Sequence, residues 1–139
     1  MPITRKTDYA SRVVLELAMQ PAGKWLTTRQ LAERRLVPPQ LIRQIVTRLA
    51  KAGLVQSRRG AVGGISLARP PREISLFDVL EAMEGPLYLN QCVADPQICP
   101  LSERCPVHNV WVEAQAMLED RLRRATYDLL TQQVCAAPA

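Results

Sequence analysis

Cys92, Cys99 and Cys105 form a C-x6-C-x5-C array that runs directly into Pro106-Val107-His108, in a 139-residue chain with four cysteines and one histidine. Cysteine binds metal as the thiolate, a soft donor suited to zinc, copper(I) and iron–sulfur centres. The spacing is unlike the paired C-x2-C knuckles of a zinc ribbon. Three thiolates on one long loop suit an iron–sulfur cluster, of two or four irons, which such a loop can wrap. His108 follows Cys105 by three residues, so on a helix both project to nearly the same side and the imidazole is placed to be a fourth ligand. Cys135 has no such neighbours and completes no site.

A second set of chemically expressive residues is basic. Residues 1–72 hold 14 Lys and Arg against 3 Asp and Glu, a net +11, whereas residues 73–139 hold 4 against 10, a net −6. The two halves therefore face different partners, and the basic one suits a polyanion such as double-stranded DNA. Within it Gln40, Arg43, Gln44, Thr47 and Lys51 share one face of a helical pattern whose other face is Ile42, Ile45, Val46 and Leu49. Arg pairs with guanine O6 and N7 and Gln with adenine N6 and N7, so this polar face suits a major groove. Thr28 and Arg29, at the start of the preceding helix, join the same set. Arg58-Arg59-Gly60-Ala61-Val62-Gly63-Gly64 reads as a hairpin tip that brings backbone close to phosphates and a guanidinium to a minor groove. It is no nucleotide-phosphate loop, because no Gly-Lys-Ser/Thr follows the glycines.

The elements that must position these residues follow from apolar spacing and breakers. A first helix is predicted from Asp8 to Gln20, with Asp8 a candidate N-cap, ended at Pro21-Ala22-Gly23. Thr27 or Thr28 caps a short second helix carrying Leu31, Ala32 and Leu36, and Pro38-Pro39 starts a third that ends near Ala52-Gly53. Together they form a helix-turn-helix. Leu54–Ser57 and Ile65–Ala68 read as the strands of a wing, and Ser75 caps a fourth helix with Leu76, Val79, Leu80 and Met83 on its buried stripe. Gly85 to Arg104 has no sustained period and is expected to be an irregular loop. Pro106 opens a long last helix to about Leu130, with Trp111, Leu118 and Ala125 in one row, Leu122 and Leu129 beside it, and Val107, Val110, Ala114 and Met117 in a flanking row. So broad an apolar surface exceeds what a small domain covers, which predicts a homodimer through this helix.

The expected architecture is thus mainly α with a small β-hairpin. It divides into a winged helix-turn-helix over 1–72, then the fourth helix, cysteine loop and long C-terminal dimerisation helix over 73–130, and a flexible tail over 131–139. The longest early apolar run, Val13 to Met19, includes Glu16, so no secretory or membrane-spanning segment is drawn and a cytoplasmic location is expected. There thiols stay reduced, which favours metal ligation or redox chemistry over structural disulfides. His108 has no nucleophile or orienting carboxylate at a catalytic spacing, so no enzymatic activity is expected.

Taken together these residues resemble the IscR/NsrR-type iron–sulfur regulator family, over the chain to about Leu130. The resemblance rests on Lys6-Thr7-Asp8-Tyr9-Ala10, on Leu49-Ala50-Lys51-Ala52-Gly53-Leu54-Val55, on Arg59-Gly60 with Gly63-Gly64, and on Cys105-Pro106-Val107-His108 with Trp111. It implies a homodimeric winged-helix transcription regulator, mostly a repressor, whose cluster reports nitric oxide, oxygen, redox state or cluster supply. It also implies two candidates for the fourth ligand, His108 or Asp8 reaching across from the partner subunit. The chain departs from the family at its first cysteine gap, six residues where five is frequent. Ala61-Val62 replaces a commoner Pro-Gly, and Arg43 stands where some members carry Glu, so a relative's operator does not carry over. Two other readings keep part of this picture: a cluster-free thiol-switch regulator, and a zinc-stabilised winged-helix adaptor that binds protein. With only 4% aromatic residues and its cations gathered on the reading elements, the chain is poorly composed for the latter.

Overall fold

A computed structural model of the chain describes residues 3–61 and 63–136. Helix α1 (Arg5–Ala18) starts earlier than its apolar period suggests, because the Thr4 side chain, not Asp8, accepts the Thr7 amide. Helix α2 (Thr28–Arg35) opens on a capping box in which Thr27 and Gln30 satisfy each other's backbone amides. Leu36 then turns the chain in the left-handed region, at φ 52°, and is 80% exposed; it is not part of the α2 buried face expected for it. Helix α3 (Pro39–Lys51) begins on proline and buries the predicted stripe Ile42, Ile45, Val46 and Leu49.

The wing is a two-stranded antiparallel hairpin of β1 (Val55–Arg58) and β2 (Gly64–Leu67), with Val55 opposite Leu67 and Arg58 opposite Gly64. Its strands lie one residue away from the ranges expected, because Leu54 is still tied to the end of α3 through Leu49 O. Leu26 pairs with Ile65 at the far edge, its amide and carbonyl both used at 2.9 and 2.7 Å, so the start of the helix-turn-helix is stitched to the wing.

Helix α4 (Leu76–Glu84) starts on the expected Ser75, which shares a capping box with Asp78. The loop after it is less irregular than its sequence suggests: it contains the single-turn α5 (Gln91–Ala94) and 3-10 turns at Pro96–Ile98 and Ser102–Arg104. Helix α6 (Pro106–Arg124) does not reach Leu130. The chain leaves helical geometry at Ala125, which gives its carbonyl to the Leu76 amide, while the Tyr127 amide reaches Ile74 O, both at 2.9 Å. That short bridge across Ser75 and Thr126 breaks the helix in two, and α7 (Tyr127–Ala136) runs back against α1 with Tyr127 fully buried. Residues 131–136 are therefore helical where a flexible tail was expected; residues 137–139 lie outside the described residues, as does the side chain of Cys135.

One main core joins both halves of the chain. Ala10, Val13 and Val14 from α1 meet Ile42, Ile45 and Leu49 from α3, Val79 and Met83 from α4, and Tyr127 from α7. A buried carboxylate supplements it: Glu16 accepts from the exposed Arg34 Nη1 at 3.2 Å and from the half-buried Arg35 Nε at 2.7 Å, which ties α1 to α2. A smaller cluster of Phe77, Leu80 and Leu87 takes in Leu122 from α6. No described helix is long and apolar enough to cross a membrane.

Candidate functional site

The basic surface is built by the amino end of α2, the polar face of α3 and the wing. Thr28, Arg43, Thr47, Arg58, Arg59 and Gly60 line one groove of about 640 Å³, joined by Thr27, Ser57, Gly63 and Gly64. All ten residues expected to read DNA are exposed, but Arg29, Gln40, Gln44 and Lys51 lie outside this groove. Arg29 pairs with Glu33 at 3.0 Å on the outer side of α2, and Gln44 accepts from Lys6 Nζ at 2.8 Å. Thr47 donates its hydroxyl to Arg43 O at 2.8 Å, leaving the Arg43 side chain as the guanidinium that α3 contributes to the groove.

Two features of the groove escape a reading of the sequence. Trp25, which precedes the second helix, lies under Arg58, with the guanidinium carbon 4.0 Å from the ring centroid. This holds Arg58 against the base of the wing and leaves the tip to Arg59. Gly64 is at φ +145°, and a Cβ there would lie 2.7 Å from Leu26 O, so the Leu26–Ile65 pairing needs glycine at this place. The only signal for Trp25 is its position directly before the Leu26 that joins the wing.

The second site lies between the cysteine loop and the start of α6. Cys92 from α5, Cys99 and Cys105 from the turns that follow, and His108 from the first turn of α6 line one cavity of about 290 Å³ together with Ser102 and Trp111. The sequence-predicted donors are thus brought to one cavity. All three cysteines are free and half-buried. His108 Nδ1 is buried without a hydrogen-bond partner, and so is the hydroxyl of Ser102. Buried polar atoms are nearly always paired, so two unpartnered ones on residues that line the same cavity single it out. As the loop stands, no group of three or more His, Cys, Asp or Glu among the described residues is set to hold a metal ion. The donor chemistry, three thiols and an imidazole nitrogen, nevertheless fits a sulfur-ligated iron centre. Asp8 does not line this cavity; it is exposed on the first turn of α1 and paired with Arg12 at 2.6 Å.

Gln115 anchors the loop. It is the only buried residue that the described α6 carries, and its amide donates to Leu87 O at 2.6 Å and accepts from Leu89 N at 2.9 Å. Much of the remaining apolar surface of α6 is open: Val107, Val110, Trp111, Val112 and Met117 are all exposed. Of the residues expected to form the dimer surface, Trp111 and Leu129 are exposed and Leu118 is half-buried. Leu122 turns inward to Phe77, and Ala125 is buried at the helix break. The open row is the flanking one.

A helix-turn-helix stitched to a glycine-tipped wing, with arginines on both, defines a winged-helix protein of the DNA-binding class. The chain belongs to the Rrf2 family, whose description is "Iron-dependent Transcriptional regulator" and whose pattern matches residues 3–133. It is a family of transcriptional regulators, not of enzymes. Over 87 residues, 63% of this chain, it is 42% identical to an HTH-type transcriptional regulator of Mycobacterium tuberculosis, and the match spans about half of that relative, 54%. It is 33% identical to the regulator NsrR of Shouchella clausii over 84% of this chain and 78% of that one. Among solved structures it is similar to CymR, the global cysteine regulator of B. subtilis, with a TM-score of 0.79 and 25% identity over 96% of this chain and 98% of CymR.

Proposed function

We propose that the protein is a homodimeric DNA-binding repressor whose operator affinity is set by an iron–sulfur cluster on Cys92, Cys99 and Cys105, with His108 or the partner subunit's Asp8 as fourth ligand. The observation that carries this reading is that three free cysteines and His108, whose Nδ1 is unpartnered, line one cavity. The bound cluster supplies a centre that nitric oxide, oxygen or a shortage of iron and sulfide can alter. The chain's own residues supply the connection to DNA. The loop joins α4 to α6, and Gln115 ties its beginning to α6. Helix α4 in turn is held to the recognition helix, because Arg48 of α3 donates to Met83 O at 2.6 Å. Rearrangement of the loop is thereby passed to α3 and the wing as a unit.

The test is anaerobic purification with a visible spectrum and iron and sulfide assays, followed by titration of a duplex selected from a random pool at fixed salt. A coupling of ordinary size gives roughly a 5- to 150-fold difference between cluster-bound and apo protein. Cys92→Ala, Cys99→Ala and Cys105→Ala are each expected to be colourless with altered affinity. Stoichiometric zinc without sulfide in the wild type, or a cluster whose loss leaves affinity unchanged, overturns the reading.

A second reading is a cluster-free thiol switch. It is supported by the half-buried free cysteines and by the likeness to CymR. On that reading the anaerobic protein carries neither iron nor sulfide, and a thiol oxidant alone changes its DNA affinity.

A further inference from the structure

Ser102 has a hydroxyl that the protein itself leaves without a partner. It is 4% exposed, its Oγ is buried and makes no hydrogen bond, and the residue is among those that line the cavity of Cys92, Cys99, Cys105 and His108. Its place is fixed by the backbone: the Ser102 amide donates to Cys99 O at 3.1 Å, and the 3-10 turn it opens delivers the chain to Cys105. The serine therefore stands in the chain between Cys99 and Cys105, buried at a turn whose backbone bonds do not require its hydroxyl. A buried hydroxyl that bonds to nothing costs stability that alanine would avoid. We infer that Ser102 is a positioning residue of this cavity, donating its O–H to a sulfur atom of the cysteine-bound iron–sulfur group; the inference rests on the cluster reading above.

Hydrogen bonds to cluster sulfurs lower the charge density there and stabilise the reduced, more negative state, so they raise the reduction potential and strengthen retention of the group. A serine hydroxyl is well suited to this, since it rotates freely to find a sulfur and carries no charge of its own. The same group predicts opposite effects in the two forms of the protein. Without a cluster the hydroxyl is a burden, and with one it is satisfied.

The experiment compares wild type, Ser102→Ala and Ser102→Thr, each purified anaerobically. Three quantities are measured: the midpoint potential by spectroelectrochemical titration, the rate at which an iron chelator bleaches the visible bands, and the melting temperature of the apo protein. Ser102→Ala is expected to have a lower potential and to bleach about 10- to 100-fold faster, the usual scale for loss of an outer-shell partner. Its apo form should melt no lower than wild type, and Ser102→Thr should restore potential and retention. Equal potentials and bleaching rates in wild type and Ser102→Ala overturn the inference and leave the cluster reading standing. A threonine variant that behaves like alanine, or an apo alanine variant that melts well below wild type, also overturns it, because the side chain then acts by packing. A wild type free of iron and sulfide overturns the cluster reading, and the inference falls with it.

Discussion

Arg43 and Lys51 lie on the same recognition helix in different company. Arg43 projects into the groove between α3 and the wing, while Lys51 stands at the last turn of α3 outside it. Base reading needs a side chain inside the groove, whereas phosphate contact needs only a nearby cation. Arg43→Ala is therefore expected to cost about 1 to 3 kcal/mol at one base pair and to relax sequence choice there. Lys51→Ala should weaken all duplexes alike and reduce the salt slope by about 1. Binding measured on a selected site and on random duplex, at several salt concentrations, separates the two; equal losses on both duplexes for Arg43→Ala would show that it touches only phosphate. The wing arginines divide similarly. Arg58 is stacked on Trp25, so Arg59→Ala is the change expected to hurt most on operators with a narrow minor groove. An Arg59→Ala loss that is the same on A·T-rich and G·C-rich sites contradicts this.

At the scale of elements, the joints matter more than the helices themselves. The wing is joined to the body through Leu26 and Ile65, and only glycine at position 64 lets those backbones meet. Gly64→Ala is expected to break this pairing at a cost of about 1 to 3 kcal/mol, with a lower melting temperature and a loss of DNA binding larger than that of any single wing cation. A second joint is Glu84, at the end of α4, which accepts from the Thr4 and Thr7 hydroxyls at the start of α1. Those hydrogen bonds hold its carboxyl below the usual glutamate value of 4.5. A carboxylate depressed in the folded state stabilises it above the unfolded value and loses that contribution as pH falls through the folded one. Melting temperature should thus drop below about pH 4.5 in wild type and fall less steeply in Glu84→Gln; identical acid limbs would remove Glu84 from the account. These joints explain what the sequence could and could not convey. The stripe of α3, the cap at Ser75, the wing and the shared placement of the three cysteines with His108 follow from local spacing and were legible, while the cap of α2 was narrowed only to Thr27 or Thr28. The break at Ala125 was not, because α6 and α7 read as one apolar helix; it arises from backbone bonds to Ile74 and Leu76, some fifty residues away in the chain. Glu84 was invisible for the same reason, since its partners Thr4 and Thr7 lie at the other end of the chain's first eighty-odd residues, whereas Ser102 escaped notice because nothing in the local spacing marks a serine whose hydroxyl is left unpartnered.

The break at Ala125 also changes how the whole molecule is expected to pair with itself. Were α6 and α7 continuous, Trp111, Leu118 and Ala125 would lie along one seam with Leu122 and Leu129 beside it. Instead Ala125 is buried, Leu122 packs on Phe77, and α7 packs against α1, so the apolar row that α6 leaves uncovered is Val107, Val110 and Met117 with Trp111 beside it. Val110 is 61% exposed and Met117 74%, and both stand on a helix whose one buried residue among those described is a glutamine. A helix so placed gains little from its own domain, and a second copy offers the same face in return, as a two-fold interface requires. On the homodimer reading, Val110→Glu with Met117→Glu should therefore give a folded monomer: sedimentation shifts to the protomer mass while the melting transition persists. Specific DNA affinity should fall about 10²- to 10⁴-fold, because each wing-and-helix unit then reads only a half-site without the advantage of being tethered to its twin. Leu118→Glu with Leu122→Glu is a poorer probe, since Leu122 is part of the internal cluster with Phe77, Leu80 and Leu87 and burying a charge there should unfold the protomer as well. A wild type that sediments as a monomer at micromolar concentration, or a Val110→Glu, Met117→Glu variant that remains dimeric, would place the interface on another face of the molecule.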